Sequence, residues 1–290
     1  MFAITGATGS VGSAVAEALL ARGQQVRVIV RDAAKGAAWK ARGAEVAVAD
    51  FADTAALTAA FRGTEGVFVL SPPDFGPAPT ARAWLEGRYA LQDKVVAAIR
   101  EARPPRVAFL SSVAAHHPAG TGPIVTAHRG EGLLKGIAPS VTFVRASSFL
   151  TNWASVAGLA KAQGILPTFG STSYQYRQVA AADIAAVVAT ALIDGKPGNN
   201  VIEVTGRQEW SADDVAATFA KLFGRPVQAL GNPVEAAAQG LRAAGLQPGL
   251  ADLFAEMYSA LGTGHVTFEH PEKVVRGTTT LEEALAPLAK

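Results

Sequence analysis

The feature that most constrains this chain is a glycine-rich segment between a short apolar run and a helical pattern. Residues 5–12 read TGATGSVG, and they follow the apolar residues 2–4. Gly6 would permit a tight turn, Gly9 would let the backbone approach a phosphate, and Gly12 would let the helix pack closely on the strand. The first amides of the helix and its positive dipole end would face the anion. The segment predicts a strand–turn–helix junction that holds a dinucleotide pyrophosphate.

The residues that follow fit the same unit. A second strand pattern at residues 26–30 (VRVIV) comes after the turn-like residues 22–24 (RGQ). This spacing is the one that a strand–helix–strand unit requires. A glycine triplet alone is weak evidence, because ordinary turns and helix caps also use glycine. The match on both sides therefore favours dinucleotide binding over an ordinary turn.

Composition excludes several kinds of chemistry. The chain of 290 residues has no cysteine, which rules out disulfides, thiolate metal sites and cysteine nucleophiles. Its net charge is +2 and its Lys and Arg residues are scattered, so no nucleic-acid footprint is visible. The apolar stretch at residues 179–193 is interrupted by Asp183 and is too short to span a bilayer. We expect a cytoplasmic monomer or homodimer with a small-molecule substrate and no nucleic-acid, membrane or metal partner.

After residue 30, strand and helix patterns alternate, which is typical of a parallel sheet with helices on both faces. Further strands are predicted at residues 45–49, 66–70, 106–111, 141–145 and 201–205. Helices are predicted between them at residues 54–61, 89–102, 130–135 and 181–192. The expected fold is α/β, a Rossmann-type doubly wound parallel sheet that binds its ligand beyond the carboxyl ends of the strands.

The alternation loosens in the second half of the chain, where helical patterns dominate. They lie at residues 152–166, 211–223, 233–261 and 281–288. We expect an NAD(P)-binding domain over residues 1–150, with 178–206 completing its sheet, and a smaller, mostly helical C-terminal substrate lobe over 151–177 and 207–290. Because its pieces flank the last sheet strand, this lobe would be discontinuous in sequence and would close a cleft over the cofactor.

The end of the second strand bears on which dinucleotide binds. An acidic residue there usually binds the ribose 2′-hydroxyl of NAD, whereas an arginine accommodates the 2′-phosphate of NADP. This chain has Arg31 at the strand tip, then Asp32, and Lys35 lies one helical turn beyond. A guanidinium can hold a phosphate through two parallel hydrogen bonds. NADP(H) is therefore the preferred cofactor. The alternative is NAD(H), with Asp32 on the ribose and Arg31 as a solvated loop charge.

The third predicted strand also ends on an acidic residue. Asp50 is a candidate to bind the adenine amino group, with the backbone N–H of Phe51 beside it. An aspartate at the end of a strand also commonly caps a turn through its own side chain. Both interpretations of Asp50 are open at this point.

Six segments together resemble the NmrA-like branch of the atypical short-chain dehydrogenases. They are residues 5–12, 28–32 (VIVRD), 48–53 (VADFAD), 143–149 (FVRASSF), 181–185 (AADIA) and 275–281 (VRGTTTL). The resemblance covers nearly the whole chain. Members of that group include type 2 quinone oxidoreductases, azoreductase-like and isoflavone-reductase-like enzymes, and NADP-sensing regulators that catalyse nothing. The shared pattern is specific for nucleotide binding and does not specify a reaction.

The resemblance implies cofactor contacts along the carboxyl ends of the strands. The implied cofactor-binding residues are Gly6, Thr8, Gly9, Ser10, Val11, Gly12, Arg31, Lys35, Asp50, Phe51, Leu70, Ser71, Pro72 and Ser111. It also implies that His128 faces the nicotinamide. Because histidine titrates near neutral pH, His128 could act as a catalytic residue that protonates a substrate oxygen. The alternative is a histidine that only bonds the cofactor or the backbone.

The usual proton relay of short-chain dehydrogenases, Tyr-x-x-x-Lys, is absent. A lysine one helical turn after the tyrosine lowers the pKa of the phenol in that relay. None of the four tyrosines has a lysine four residues later: Tyr89, Tyr174, Tyr176 and Tyr258. This counts against a sugar epimerase or an ordinary alcohol dehydrogenase.

Aromatic residues are the candidates for substrate contact. Phe149, Trp153 and Tyr174 lie where the chain crosses into the lobe, and Phe75 lies in a proline-rich loop at the expected rim of the cleft. Such rings could stack on a flat substrate, although core packing is the alternative for each. Arg145, in an apolar strand pattern, is expected to pair within the sheet or with loop carbonyls, and a substrate carboxylate is the other option.

Two functions from different classes fit these observations. The first is an NADPH-dependent reductase of a planar, electron-poor substrate such as a quinone, which needs little from the protein beyond positioning. The second is a sensor that binds NADP(H) without turnover and changes its protein partnership in response. The missing Tyr-x-x-x-Lys relay is compatible with both, and we favour the reductase.

Overall fold

The alternating pattern builds one large sheet of parallel strands. The computed structural model describes residues 1–71 and 77–289. The strands are β1 (Phe2–Ile4), β2 (Val26–Val30), β3 (Glu45–Val48), β4 (Gly66–Leu70), β5 (Arg106–Ser112), β6 (Ser140–Ala146), β7 (Ser148–Phe149), β8 (Ile165–Phe169), β9 (Tyr176–Val179), β10 (Gly198–Thr205), β11 (Glu209–Trp210), β12 (Gln228–Asn232) and β13 (Val275–Arg276). Within the described residues, eight of them form the large sheet in the order β13-β10-β6-β5-β4-β1-β2-β3. The expected Rossmann-type α/β fold is confirmed.

Helices connect and cover these strands. They are α1 (Ser10–Ala21), α2 (Ala37–Ala41), α3 (Thr54–Phe61), α4 (Ala81–Ala102), α5 (Val125–Leu134), α6 (Ala154–Gln163), α7 (Ala181–Asp194), α8 (Ala212–Phe223), α9 (Ala237–Ala243), α10 (Pro248–Gly262) and α11 (Leu281–Leu285). None of the helices built from the described residues is both long enough and apolar enough to cross a bilayer.

Several predicted boundaries are correct and others move by a few residues. The bounds of β2, β4 and α3 are those predicted. Strands β3 and β5 differ from the prediction by one residue at one end, and β6 is one residue longer at each end. Strand β10 begins three residues earlier, at Gly198. Helix α4 begins at Ala81, eight residues before the prediction, because Thr80 caps it by accepting from the Ala83 amide at 3.2 Å. Helix α5 begins at Val125 and ends at Leu134, whereas residues 130–135 were predicted.

The helical patterns of the second half are only partly correct. The helix predicted over residues 152–166 ends at Gln163, because Gly164 adopts the left-handed conformation with φ of 73° and the chain enters β8. The helix predicted over 233–261 is wrong as one element, since it splits into α9 and α10 around Gly245. The last helix ends at Leu285 and continues as a 3₁₀ turn. Strands β7, β8, β9, β11, β12 and β13 were not predicted.

The large sheet is buried on both faces. On one face, Leu19 of α1 and Ile184 of α7 pack with Phe2 and Ile4 of β1, while Ala3 points to the cluster on the other face, where α3, α4 and α5 pack. This is the alternation that a strand imposes on its side chains. Burial of each large apolar side chain contributes about 1.5–3 kcal/mol, so the two clusters hold the helices on the sheet.

A smaller lobe has its own sheets and its own core. Strands β11, β9 and β7 form a three-stranded sheet, and β12 pairs with β8. Trp153, Trp210 and Phe219 are buried together in a third cluster that includes residues of α6, α8 and α11. Helix α10 belongs to a fourth cluster, in which Leu250 packs against Trp84 at the start of α4. The lobe therefore contains strands as well as the helices that the sequence predicted.

The last strand of the large sheet comes from the end of the chain. Strand β13 pairs in parallel with β10. The buried Asp183 of α7 accepts from the Thr278 amide at 3.0 Å and from the Thr279 hydroxyl at 3.0 Å. A methyl group at Gly277 would lie 2.2 Å from Cγ of Asp183, so the segment can approach only with glycine there. One carboxylate thus fixes the C-terminal segment to the sheet.

Candidate functional site

The strand register places the predicted cofactor residues along one edge of the sheet. Strands β1 and β2 are parallel with Ile4 opposite Val28, and β1 pairs with β4 with Ile4 opposite Phe68. The turn after β1, Arg31 after β2 and Leu70 at the end of β4 therefore share the carboxyl edge, where ligands of such sheets bind. Asp50 after β3 and Ser111 of β5 lie at the same edge by the pairing of their strands.

The glycine-rich turn is packed too closely for side chains at two of its positions. Gly6 has φ of +67°, and a methyl group on it would lie 2.7 Å from Cδ2 of Leu70. A methyl group on Gly12 would lie 2.2 Å from the carbonyl oxygen of Gly6. The buried indole N–H of Trp39 donates to the carbonyl oxygen of Ala7 at 3.2 Å and holds the turn from another side. Trp39 is a residue of the site that the sequence analysis missed.

Gly9, unlike Gly6 and Gly12, has space for a side chain. Among the residues that the structure describes, a methyl group on Gly9 would meet only the Gly6 carbonyl oxygen, at an ordinary contact distance of 3.5 Å. Gly9 is the N-cap of α1, no side chain in the described part of the chain caps this helix, and its first turn holds no acidic residue. Thr8, Gly9 and Ser10 are exposed, and Val11 is buried in the core. The helix thus presents its first amides to an anion, and a bare backbone at Gly9 leaves space for a phosphate.

Two cations stand free beside this turn. The exposed side chains of Arg31 and Lys35 make no hydrogen bond or ion pair with the residues that the structure describes. Asp32 is already engaged, because its Oδ1 accepts from the Ala34 amide at 2.9 Å and caps a short 3₁₀ helix. A free guanidinium at the tip of β2 fits a 2′-phosphate. The role of Asp32 as a cap explains an acidic residue there without a ribose.

Asp50 is a turn residue in the structure. Its Oδ1 accepts from the Ala52 amide at 2.8 Å, and Asp53 caps α3 through the Ala56 amide at 2.9 Å. Phe51 is half-buried and packs against the cluster under α3 and α4. The turn interpretation of Asp50 therefore describes its hydrogen bond, and contact of Asp50 and Phe51 with adenine stays a prediction.

The end of β4 brings a buried arginine to the edge. The hydroxyl of Ser71 accepts a short hydrogen bond from Arg88, a side chain of α4 that is 2% exposed. Pro72 and Phe75, predicted to contact the cofactor and the substrate, lie outside the described residues.

A buried ion network lies behind Ser111. The Ser111 hydroxyl donates to Oε1 of Glu131 at 2.5 Å. The Arg145 guanidinium donates to both oxygens of that carboxylate, at 2.9 and 2.8 Å. Its third contact is with Glu269 at 2.5 Å, and Glu203 lies 3.7 Å away. Because the Ser111 proton is committed to Glu131, the serine oxygen faces any further partner as an acceptor.

This network bears out one expectation in part and reveals residues that were missed. Arg145 was expected to pair within the sheet or with loop carbonyls, and it forms an ion pair at 3.7 Å with Glu203 of the neighbouring strand β10. Its shorter contacts, with Glu131 of α5 and with Glu269, were not expected. Glu203 also accepts from the amides of Glu269 and His270 at 2.9 Å each. The network joins β5, β6, β10 and α5 to the segment that precedes β13.

His128 bonds to the backbone, as its alternative interpretation expected. Its Nδ1 donates to the Ala115 carbonyl oxygen at 2.9 Å, which holds the loop between β5 and α5. In the neutral ring this leaves Nε2 as an acceptor. A catalytic role of His128 stays a prediction that needs Nε2 to carry a proton.

The candidate substrate residues separate into three environments. Trp153 is 8% exposed in the core of the small lobe, and its indole N–H donates to Gln178 at 2.7 Å. For Trp153, core packing therefore replaces the expected substrate contact. Phe149 is half-buried against the large core. Tyr174 is 47% exposed and its ring stacks on Tyr176, with centroids 6.3 Å apart.

Comparison with known proteins decides the family. A family model described as the NmrA-like family matches residues 1–283. The chain belongs to the NmrA-like family. The resemblance found in the sequence is thereby confirmed over almost the full length of the protein.

Relatives and a solved structure match this NmrA-like chain over most or all of its length. Quinone oxidoreductase 2 of Escherichia coli (strain K12) is 30% identical over 299 residues, covering 99% of this chain and 98% of that protein. NAD(P)H azoreductase of Xenophilus azovorans is 29% identical over 266 residues, covering 89% and 86%. The crystal structure of the NADPH-dependent quinone oxidoreductase QOR2 from Escherichia coli, complexed with NADPH, superposes with a TM-score of 0.80 at 28% identity over the whole of both chains.

Alanine substitutions at Gly9, which is open, and at Gly12, which is closely packed, separate cofactor binding from packing. We expect Gly9→Ala to keep the stability of the wild type, because its methyl group meets an ordinary contact, and to weaken NADPH binding about tenfold or more by blocking the phosphate. Gly12→Ala should lower the free energy of unfolding by about 2 kcal/mol or more through overpacking. Denaturant unfolding and fluorescence titration with NADPH measure both. Equal NADPH affinity of Gly9→Ala and wild type would contradict the assignment.

The ion network predicts a pH dependence of stability. The hydrogen bond from Arg145 lowers the pKa of Glu269, with help from the charges of Arg145, His116 and His270. A depressed pKa stabilises the folded state above the unfolded pKa of about 4.3, and this contribution is lost as the pH falls through the folded value.

The thermal midpoints of Glu269→Gln and wild type should therefore differ at about pH 7 and converge as the pH falls below about 4. The matched control is Glu272→Gln, since Glu272 is exposed and lies 3.9 Å from Lys273. Its difference from wild type should stay small at every pH. If the thermal midpoints of Glu269→Gln and wild type differed by the same amount at every pH, the pKa of Glu269 would not contribute to stability.

Proposed function

We propose that this protein is an NADPH-dependent reductase of a small, planar, electron-poor acceptor such as a quinone. The observation that carries the proposal is the full-length match to Quinone oxidoreductase 2 of Escherichia coli, at 30% identity. The geometry of the glycine-rich turn and the free Arg31 support it, because together they fit a dinucleotide with a 2′-phosphate.

Different residues at the carboxyl edge of the sheet would bind different parts of the cofactor. The first amides of α1, with Gly9 bare above them, would hold the pyrophosphate. Arg31 and Lys35 would hold the 2′-phosphate, and NAD(H), which lacks it, would bind less tightly. The end of β4 and Ser111 lie farther along the same edge, where they would line the nicotinamide half. When bound, NADPH supplies the hydride.

The protein's remaining task is positioning. A quinone gains aromatic stability as it is reduced, and water can supply the proton that the product oxygen takes up. Orientation of the acceptor over the nicotinamide therefore carries most of the catalysis. This explains how a chain without Tyr-x-x-x-Lys can support the reaction. The buried network behind Ser111 keeps that part of the edge rigid, and Phe149 and Tyr174 would contribute ring surface for the substrate.

The proposal extends to the domain organisation, the oligomeric state and the cellular location of the protein. Residues 1–150 with 178–206 would bind the cofactor, and residues 151–177 with 207–290 would form the substrate lobe. We propose a monomer or homodimer in the cytoplasm, a location that the cysteine-free sequence favours.

NADPH consumption tests the proposal directly. With 1,4-naphthoquinone as acceptor, the protein should oxidise NADPH well above the uncatalysed rate, and simple aldehydes should be poor acceptors because they need a proton relay. NADPH binding with no turnover of any quinone or azo dye would replace the reductase with a sensor.

The cofactor preference depends on one side chain. Arg31→Ala should reduce the affinity for NADPH about tenfold to a hundredfold while changing that for NADH little, because a charge-assisted contact of about 1.5–3 kcal/mol is lost. Lys40→Ala, which removes an exposed cation of α2, is the matched control. Isothermal titration with both cofactors measures the ratio. If that ratio were the same in Arg31→Ala and wild type, the assignment of the 2′-phosphate to Arg31 would be wrong.

A further inference from the structure

Two segments that are far apart in the chain meet beside the carboxyl end of β5. The first is residues 113–121, which follow β5 and which we call the β5 loop. The second is residues 263–270, which lie between α10 and β13 and which we call the β13 segment. The Ala114 amide donates to the carbonyl oxygen of Thr267 at 3.1 Å. The β5 loop is therefore bound directly to the segment that leads to the last strand of the large sheet.

Three histidine rings lie across this contact. The ring centroids of His116 and His117, both in the β5 loop, are 3.9 Å apart. The ring of His117 stacks on that of His265 in the β13 segment, at 4.1 Å and 29°. Nε2 of His265 also faces the carbonyl oxygen of Ala119 at 3.4 Å, to which it can donate. We call these three rings the histidine cluster, and His117 is its middle ring and the bridge between the two segments.

The other two histidines of the chain belong to the same region. The sequence contains five histidines. His128 of α5 donates to the carbonyl oxygen of Ala115 in the β5 loop at 2.9 Å, and the amide of His270, in the β13 segment, donates to Glu203 at 2.9 Å. Histidine is the side chain whose charge ordinarily changes between about pH 5 and 8. The groups with this property are thus concentrated on one contact.

One nitrogen of the cluster is poorly placed to take up a proton. Nδ1 of His116 is buried and has no hydrogen-bond partner among the residues that the structure describes. A neutral imidazole has one N–H group, whereas a charged imidazole has two, and each needs an acceptor. A buried N–H group without an acceptor is costly. Protonation of His116 is therefore favoured when the ring leaves its place against His117.

The charges that face His116 oppose one another. Burial lowers its pKa, and the positive charge of Arg145 on β6 adds to this effect. The carboxylates of Glu269 in the β13 segment, Glu203 on β10 and Glu131 on α5 act in the opposite direction. Burial prevails, so the pKa of His116 lies below the ordinary value of a histidine.

The middle ring titrates in the same direction. Burial lowers the pKa of His117, and the charges of His116 and His265 lower it further, against the effect of Glu269. In an unfolded chain, histidine titrates near about pH 6.5. As the pH falls below that value, the unfolded chain takes up protons before the folded cluster does. The contribution of the cluster to stability is therefore complete above about pH 6.5 and is lost as the pH falls through the lowered folded pKa values.

The β5 loop also contains a strained residue. Ala114 has φ of 62°, in the left-handed region that residues other than glycine rarely adopt. Two hydrogen bonds hold it there, the one from its amide to Thr267 and one that its carbonyl oxygen accepts from the His117 amide at 3.0 Å. Such a conformation persists only where its surroundings fix it. Separation of the two segments would let Ala114 relax, which favours release of the loop as one unit.

We propose that the histidine cluster is a pH-sensitive latch, which holds the β5 loop against the β13 segment while its rings are neutral and releases it when they take up protons. The β13 segment includes Glu269, which pairs with Arg145 in the network that orients the Ser111 hydroxyl. Release in mild acid would therefore loosen the carboxyl edge of the large sheet at β5. This inference goes beyond the proposed function and stands whether or not the protein reduces quinones.

Hydrogen–deuterium exchange of the whole protein at about pH 7.5 and about pH 5.5 tests the latch. After correction for the intrinsic exchange rate, peptides from the β5 loop and the β13 segment should lose protection about tenfold or more at the lower pH, because one unit of pKa difference is a tenfold change in an equilibrium. Peptides from β2 and β4 should keep their protection. The network carboxylate Glu269 stays charged at both pH values, since its hydrogen bond from Arg145 lowers its pKa.

Variants identify the histidine cluster as the cause. His117→Phe keeps a ring between His116 and His265 that cannot take up a proton, so its loss of protection at about pH 5.5 should be much smaller than that of wild type. His265→Phe removes the charge on the other side of the contact and should act in the same direction. The matched control is His270→Gln, since His270 is exposed and lies 3.8 Å from Glu272. It should lose as much protection as wild type.

Titration of the imidazole protons by NMR follows the rings of the wild-type protein directly and needs no variant. The pKa values of His116 and His117 should lie below about 6.5 in the folded protein. The latch would be wrong if wild type kept its protection in the β5 loop at about pH 5.5, or if His117→Phe and His265→Phe both lost as much as wild type. Neither result bears on NADPH binding or quinone turnover, which test the proposed function separately.

Discussion

The close approach of α1 to the first turn is the constraint on which the rest of the site depends. With Gly6 and Gly12 in contact, the helix can begin only at one place above the end of β1. Trp39 and Leu70 close the turn from two other sides. The first amides of α1 consequently point along the carboxyl edge of the sheet. Gly6 and Gly12 are needed for the packing of the fold, whereas Gly9 leaves space for a bound ligand among the residues that the structure describes.

The Arg145 network is a second constraint, of a different physical kind. It buries an arginine with Glu131 and Glu203 and reaches a third carboxylate that is 42% exposed. Loss of one partner from such a buried set typically costs about 3–5 kcal/mol, since a charge is then left uncompensated. The specific geometry has a use, because it orients the Ser111 hydroxyl. It also makes the segment before β13 part of the same polar structure as the centre of the sheet.

The sequence predicted the large sheet well and the small lobe poorly, for a physical reason. Strands β2 and β4 are continuous runs buried on both faces, so their own residues define them. Strands β7, β11 and β13 are two residues long and exist only because distant partners pair with them. Helix-like patterns could not reveal this, since Gly164 reverses the chain and directs Ile165 into β8.

The residues of the site were likewise predictable where strand topology places them and unpredictable where side-chain contacts decide. Parallel strands bring their carboxyl ends together, so the positions of Arg31 and Ser111 followed from topology. The partners of Arg145 did not follow, because they lie up to 124 residues away in the chain. An arginine inside a buried apolar strand was the available signal, as such a charge demands carboxylates. Whether an aromatic residue faces a core, as Trp153 does, or a cleft depends on side-chain directions that no spacing supplies.

The position of β13 affects how the protein is made. Strands β3, β2, β1, β4 and β5 come from the first 112 residues, so this half of the sheet can assemble while the ribosome is still adding the remainder. The opposite edge is different, because in the described part of the chain the strand that pairs with the end of β10 there is β13, at residues 275–276. A nascent or prematurely terminated chain that lacks β13 leaves Val204 and Thr205 of β10 without a strand partner on that side, where another chain can pair with them. The two residues of β13 thus close this end of the strand in the finished protein.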